Sequence, residues 1–587
     1  MVEIILGIDL GTTYSCMAYI DDSCQPRVIP VVDGGRTTPS VVSFDEFNQC
    51  LIGKDAKDQS AVNPGRTFRS VKSYMGKTRE ELKNISAYTH YKNKRGELYL
   101  PQEISALVLA KLKADAELYL GKQIRKAVIT VPAYFNDAQK NATKDAGKIA
   151  GLDVIRIISE PTAAAIAYGM DHAGKDQTVL VYDLGGGTFD VSIMGFTTDT
   201  DENEAEMIFD VVSTIGDTHL GGDNFDEKIM EYIFRDIQKQ SGVDVSGDPE
   251  SRQKVKSVAE ETKKKLSTIQ KTSIGINNIG QNHSINYKGT LERDQFEEMI
   301  RTYIDRTISL TKEVKSMAGK KMQGFSLDKI ILVGGSTKIP YVKQMVEKET
   351  GKRPAQDINP DECVAIGAAL QGRIIALEKG WVDDDSDSLL VEIPDETNNL
   401  SRGTNRCDGL TSDDIKKKVT ITVYDVTSQD LGIVSRIDGV EDRFSRIIEK
   451  NTKIPVKRTD EYFTTRDYQK SLWIPVIQGP DSVQYPDAHD SHNKIIFEAD
   501  MNITPAERYE YAYIVTFSLD DNGLLSVTAD EYKTKNDAQG YLHADLSKKT
   551  TKKITFDVKL QTGLTQKEIR ESQDEIAGHM RDYKSQF

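Results

Sequence analysis

The sequence predicts a multidomain protein: an α/β domain of two duplicated lobes, then an all-β sandwich, then a single C-terminal helix. Three observations predict it. One short unit is written twice, as Gly7-Ile8-Asp9-Leu10-Gly11-Thr12-Thr13 and as Tyr182-Asp183-Leu184-Gly185-Gly186-Gly187-Thr188-Phe189-Asp190, each time between two apolar runs. Residues 1–378 alternate strand-like runs with long helical stretches, which is the pattern of an α/β domain. From 419 to 558 the text changes to short alternating strands parted by turn signals such as Asp520-Asp521-Asn522-Gly523, which is the pattern of a sandwich.

The elements follow in order. Ile4-Ile5-Leu6 and Met17-Ala18-Tyr19-Ile20 flank the first glycine turn and read as a β-hairpin. Helical stretches are expected at 102–120 and 136–151. Thr178-Val179-Leu180-Val181 and Val191-Ser192-Ile193-Met194 flank the second turn and give a second hairpin. Helices are then expected at 226–241, 251–268 and 293–318. Lys329-Ile330-Ile331-Leu332-Val333 enters a third glycine turn, Gly334-Gly335-Ser336-Thr337-Lys338, and a helix from Pro340. Residues 379–418 form an acidic connector, with Asp383-Asp384-Asp385-Ser386-Asp387 and Asn398–Asn405 expected to be solvated and mobile. Val419–Val426, Ser471–Ile477, Tyr511–Leu519 and Leu524–Thr528 read as strands, and Pro475 inside one of them implies an edge or a bulge. Thr565 and Glu568 form a capping box that opens the last helix.

Composition bounds the function classes. The chain has 587 residues, 38% of them hydrophobic, and a formal net charge of −15, which argues against nonspecific nucleic-acid binding. No run of eighteen apolar residues occurs, so no membrane partner is expected, and Met1-Val2-Glu3-Ile4 enters a strand without a secretory pattern. Five scattered cysteines (Cys16, Cys24, Cys50, Cys363, Cys407) fit neither a disulfide framework nor a zinc site. The expected compartment is the cytoplasm.

The glycine turns carry the chemistry. Glycine lets backbone N–H groups come close to phosphate oxygens, threonine hydroxyls add donors, and Asp9 and Asp183 are oxygen ligands suited to a hydrated Mg²⁺. The third turn, between a strand and a helix N-terminus, suits an anion or the adenosine end of a nucleotide. Any one of these strings also occurs in ordinary hairpins. All three in this order point to two lobes closing on one nucleotide.

Over residues 3–377 the chain resembles the 70-kilodalton heat-shock chaperones of the DnaK type. The motifs are Ile8-Asp9-Leu10-Gly11-Thr12-Thr13, Val131-Pro132-Ala133-Tyr134-Phe135-Asn136-Asp137, Glu160-Pro161-Thr162-Ala163-Ala164-Ala165, the Asp183–Asp190 loop and Leu332-Val333-Gly334-Gly335-Ser336-Thr337. From 421 to about 570 the likeness is looser, through Asp425-Val426-Thr427, Lys450-Asn451-Thr452-Lys453-Ile454-Pro455 and Ile477-Gln478-Gly479. The resemblance implies an actin-like ATPase domain of two RNase H-like lobes over 1–378, the inserted connector 379–418, an interdomain linker 419–426, a substrate-binding sandwich 427–562, and at 563–587 the first helix of the family's lid. Leu389-Leu390-Val391-Glu392 is a second candidate for the linker.

It also implies roles. Asp9 and Asp183 hold Mg²⁺; Gly11, Thr12, Thr13, Tyr14, Gly185, Gly186, Gly187 and Thr188 bind phosphates; Lys72 is the catalytic lysine, assisted by Glu160, Thr188 and Asp190. Glu260, Lys263, Lys264, Ser267, Gly334, Gly335, Ser336, Lys338 and Asp361 take the adenosine. The cofactors implied are ATP/ADP and Mg²⁺, with K⁺ as a further cation. Ile433, Leu472 and Ile474 would line a peptide pocket, although apolar residues at period two also read as sandwich core. Pro132, Lys140, Arg156 and Asp425 would couple the domains. Partners implied are unfolded or extended peptides, a J-domain co-chaperone near Tyr134, Asn136, Asp137, Arg156 and Asp425, and a nucleotide-exchange factor. Lys338 and Lys140 stand where the family has arginine, and Arg436 replaces part of an apolar arch. The rival readings are a small-molecule kinase on the same fold and an actin-like filament ATPase; neither gives the sandwich a task.

Overall fold

The computed structural model describes residues 3–558 and 564–584, apart from 171, 173–175, 201–203, 281–282, 356–357, 383–389, 394–414 and 521–522. The acidic stretch 383–387 and the polar stretch 398–405 therefore lie outside the described residues. The chain divides into two compact units: Met1–Tyr134 with Gln139–Val423 and Thr562–Phe587, and Phe135–Ala138 with Tyr424–Gln561.

The first unit contains two sheets built alike. In one, the hairpin Ile5–Asp9 and Tyr14–Ile20 pairs Asp9 with Cys16, and Ile5–Asp9 runs parallel to Lys126–Val131. In the other, Gln177–Leu184 and Phe189–Thr200 pair Asp183 with Asp190, and Gln177–Leu184 runs parallel to Lys329–Val333. Both hairpins thus end at the same edge of a sheet, the carboxyl end of a parallel strand, where α/β folds place ligands. The five expected helices are present as Pro101–Leu120, Asp137–Ile149, Gly222–Ser241, Pro249–Leu266 and Arg293–Lys321. Pro101 and Pro249 open two of them at the first helical position, where a missing N–H costs no bond.

The strand expected at Val419–Val426 runs over Ile415–Tyr424 and joins the second lobe's sheet rather than the sandwich, next to Glu204–Asp217. Thr422 Oγ1 donates to Glu206 Oε1 at 2.9 Å. On its other side lies Leu390–Ile393, antiparallel, with Leu390 opposite Lys418 and Ile393 opposite Ile415. Both linker candidates are therefore neighbouring strands of one sheet, a long-range pairing that local periodicity does not encode.

The last helix, Gln566–Lys584, packs on the first lobe. Its Ile569, Ile576 and Met580 join a core containing Phe44, Phe68, Tyr99 and Leu107. The capping box is made, with Glu568 N–H donating to Thr565 Oγ1 at 3.2 Å and Thr565 N–H to Glu568 Oε2 at 2.7 Å. Polar contacts fix its position: Tyr99 OH donates to Glu575 Oε1 at 2.6 Å, Ser572 Oγ to Glu103 Oε1 at 2.8 Å, and Tyr583 OH to Asp115 Oδ1 at 2.8 Å.

The second unit is a sandwich of two four-stranded sheets. One orders Val440–Ile448, Asp430–Ile437, Ser471–Gly479 and Lys494–Asn502; the other Val456–Phe463, Tyr511–Leu519, Leu525–Asn536 and Leu542–Asp557. Pro475 lies in an inner strand and not at an edge. Pairing with Asp430–Ile437 stops at Val476, and a register shift follows at Val476/Ile477 on the other side, so the residue without an N–H interrupts no ladder bond toward the first neighbour.

Candidate functional site

The two hairpin turns and the third glycine turn line one cavity of about 680 Å³ in the first unit, within the range of small-molecule sites. Asp9, Lys72, Glu160, Asp183 and Thr188 line it, with Gly11, Thr12, Thr13, Tyr14, Gly185 and Gly186. Glu260, Lys263, Lys264, Ser267, Gly334, Gly335, Ser336, Lys338 and Asp361 line it as well. Asp190 and Gly187 sit just behind its wall. Asp190 is fully enclosed and accepts from Tyr134 N–H at 3.1 Å, while a side chain on Gly187 would strike Ser73 and Thr12.

The glycines are needed for space. A Cβ on Gly186 would stand 1.9 Å from Thr13 Oγ1, closing the gap between the two hairpins. Gly334 has φ +81°, and a Cβ there would stand 2.4 Å from Leu184 O. Ser336 Oγ donates to Gly185 O at 2.8 Å, tying the third turn to the second.

One end of the cavity is acidic. Glu160, Asp183 and Asp190 are buried together with Asp9 half-buried beside them, and the Lys72 ammonium pairs with Glu160 Oε1. Burial, then the Glu160 charge, pushes the Asp9 carboxyl up to about 7 against the pull of Lys72. The same causes raise Asp190 to about 8, and burial followed by Glu160, Asp190 and Asp9 drives Asp183 well above the usual range. Carboxylates crowded in this way call for a further cation. Among the described residues no three His, Cys, Asp or Glu side chains stand close enough to ligate a metal directly. Asp9 and Asp183 could hold such a cation with water completing its shell, the mode suited to a small hard ion. The buried Thr13 hydroxyl, which makes no hydrogen bond, fits a ligand oxygen in the cavity.

The other end is cationic. Glu260 Oε1 accepts from Lys57 Nζ at 2.7 Å, Lys264 Nζ at 2.6 Å and Tyr14 OH at 3.2 Å. Burial opposes its ionisation, but Lys264 and Lys57 hold it down to about 2. Lys263 Nζ reaches Asp226 Oδ1 at 2.9 Å, and Lys338 pairs with Asp361. Sequence reasoning missed Lys57, Thr268, Ile339, Lys343 and Cys16. Lysines 57 and 343 sit on short charged helices, where nothing local sets them apart from solvated surface.

The remaining expected residues lie elsewhere. Ile433 and Ile474 are buried in the sandwich interior with Tyr513, Val515 and Phe517, and Leu472, half-buried opposite Met501, packs against them. Pro132, Lys140 and Arg156 belong to the first unit and Asp425 to the second. Asp425 Oδ1 accepts from Val426 N–H at 2.8 Å.

Compared with known families, the chain matches the model described as Hsp70 protein over residues 5–423 and 406–583.

Proposed function

The chain belongs to the Hsp70 family, and from that premise we propose that it is an ATP-driven chaperone in which ATP hydrolysis in the first unit governs the hold of the sandwich on extended peptides. The observation that carries the ATPase reading is the pair of glycine hairpins meeting over Lys72 and Glu160, with the unpartnered Thr13 hydroxyl beside them.

Phosphoryl transfer to water asks for fixed geometry and neutralised oxygens more than for covalent help. The Gly11–Thr13 and Gly185–Thr188 turns offer N–H and hydroxyl donors to the phosphates of ATP. Asp9 and Asp183 would hold a hydrated Mg²⁺, which supplies positive charge to the phosphate oxygens when bound. Lys72, which lines the cavity, would orient water with its ammonium and stabilise charge developing on the transferred group, with Glu160 holding that ammonium. Asp190, held by Tyr134 N–H just behind the wall, would assist as a proton acceptor once a bound cation draws its raised carboxyl down. The cytoplasm is the proposed compartment, with a J-domain protein and a nucleotide-exchange factor as proposed partners.

Steady-state hydrolysis tests the reading. Turnover by the full chain is expected to be slow, dependent on Mg²⁺, faster with an unfolded peptide and indifferent to sugars. Acceleration by a sugar hydroxyl with phosphate transferred to it would establish the kinase reading, and hydrolysis tied to sedimentable polymer the filament reading.

A further inference from the structure

We infer that the base end of the cavity discriminates weakly between adenine and guanine, so that the protein takes purine nucleotides as a class. The inference rests on the reading of this cavity as a nucleoside triphosphate site, with phosphates at the glycine hairpins and the base toward Lys264, Ser267 and Lys338.

A site rejects a purine strongly when a fixed group pairs with one base edge and is left unpaired or repelled by the other. Adenine presents a donor at position 6 and guanine an acceptor. Among the described residues no lining side chain at this end tells them apart: none is Asn, Gln or Arg, the planar groups that read a base edge or stack on it. Lys264, Lys338 and Lys343 are donors only, on flexible stems, and an ammonium serves guanine O6 and N7 as readily as adenine N7. The Ser267 and Thr268 hydroxyls spend their hydrogens on the carbonyls of Lys263 and Lys265, at 3.2 and 3.0 Å. Their oxygens are left to accept from the amino group of either base.

The two carboxylates that could repel guanine O6 are neutralised. Asp361 is paired with Lys338, and Glu260 with Lys57 and Lys264. The ring of Tyr14 carries the Lys264 and Lys57 ammoniums at 4.7 and 5.0 Å from its centroid, so it is engaged before any base arrives. Without a paired edge or a repulsive group, discrimination falls into the range of shape alone, roughly ten-fold.

Calorimetric titration of the full chain with Mg·ADP and Mg·GDP, alongside single-turnover hydrolysis of ATP and GTP, tests this. Dissociation constants within about ten-fold of each other, and hydrolysis of both triphosphates, are expected. ADP binding with GDP weaker by about a hundred-fold or more overturns the inference while leaving the nucleotide site intact. Binding of neither overturns the reading beneath it. Lys338→Met supplies a second measurement, because it releases the Asp361 carboxylate to accept from the adenine amino group and to repel guanine O6 while adding no polar group of its own. The ADP-to-GDP preference is expected to move toward adenine by about five-fold. A ratio that stays put or moves toward guanine overturns the role given to the lysines.

Discussion

Lys72 is 4% exposed and its ammonium closes on Glu160, beside the buried Asp183 and Asp190 and the half-buried Asp9, so its removal leaves that charge unmatched where phosphate chemistry is proposed. Lys72→Ala is expected to slow single-turnover ATP hydrolysis by about two to three orders of magnitude, the effect of deleting one preorganised charge, with ATP binding retained. A rate near that of the unaltered chain would remove Lys72 from the mechanism. Asp9 and Asp190 give a stability test. Their folded-state values, about 7 and about 8, lie above the ordinary 3.8, so the folded protein binds more protons than the unfolded chain. Their contribution is therefore favourable at low pH and is lost as pH rises from about 4 through 7 to 8. In nucleotide-free protein, Asp9→Asn should raise Tm more at pH 8 than at pH 5 while abolishing Mg²⁺-dependent hydrolysis; an equal shift at both pH values would contradict the burial argument. At this scale the glycine turns were legible because glycine, aspartate and threonine at fixed offsets are local signals. Lys57 was not, because its significance lies in reaching Glu260, far along the chain.

Among the elements, Leu390–Ile393 covers the outer edge of Ile415–Tyr424, and backbone protection of the latter depends on it. Val391→Pro should raise amide exchange across 415–423 by at least about ten-fold, since proline removes a donor and misfits a strand; unchanged exchange would mean the pairing contributes nothing. The C-terminal helix is equally specific. Ile576 is 5% exposed in the first lobe's core, and Ile576→Ala removes methylene groups worth about 2–5 kcal/mol if the helix stays docked. The helix can also detach, which caps the loss, so increased exchange over 566–584 should exceed any fall in Tm of the lobe. The five helices named from the sequence were readable to within about four residues at each end, because amphipathic periodicity and proline at the first turn are local, whereas Glu160–Met170 and Cys363–Glu378, buried almost all round, carry no such stripe. The strand Ile415–Tyr424 was readable as a strand but not as part of the ATPase sheet: its apolar alternation suits either sheet, and pairing with Glu204–Asp217 is set by tertiary contact.

For the whole molecule, two units with separate cores imply separate unfolding events. Calorimetry should show two transitions, and Mg·ADP at a hundred times its dissociation constant should raise only the first unit's, by about 2.7 kcal/mol. A nucleotide shift of both transitions together would mean that the units unfold as one. The division into an α/β part and a β part was legible from the change of period alone, whereas the assignment of Thr562–Phe587 to the first unit was not, because a capped helix carries no address. The oxygen Oε1 of Glu260 has a consequence at this scale. It joins Lys57, on Lys54–Gln59 of the first lobe, to Lys264, on Pro249–Leu266 of the second. It is therefore a hasp across the mouth of the cleft, fastened by charge and held shut down to acid pH. How long a guest remains inside then becomes a property of the surrounding electrolyte as much as of the pocket, and departure should quicken as dissolved salt is raised.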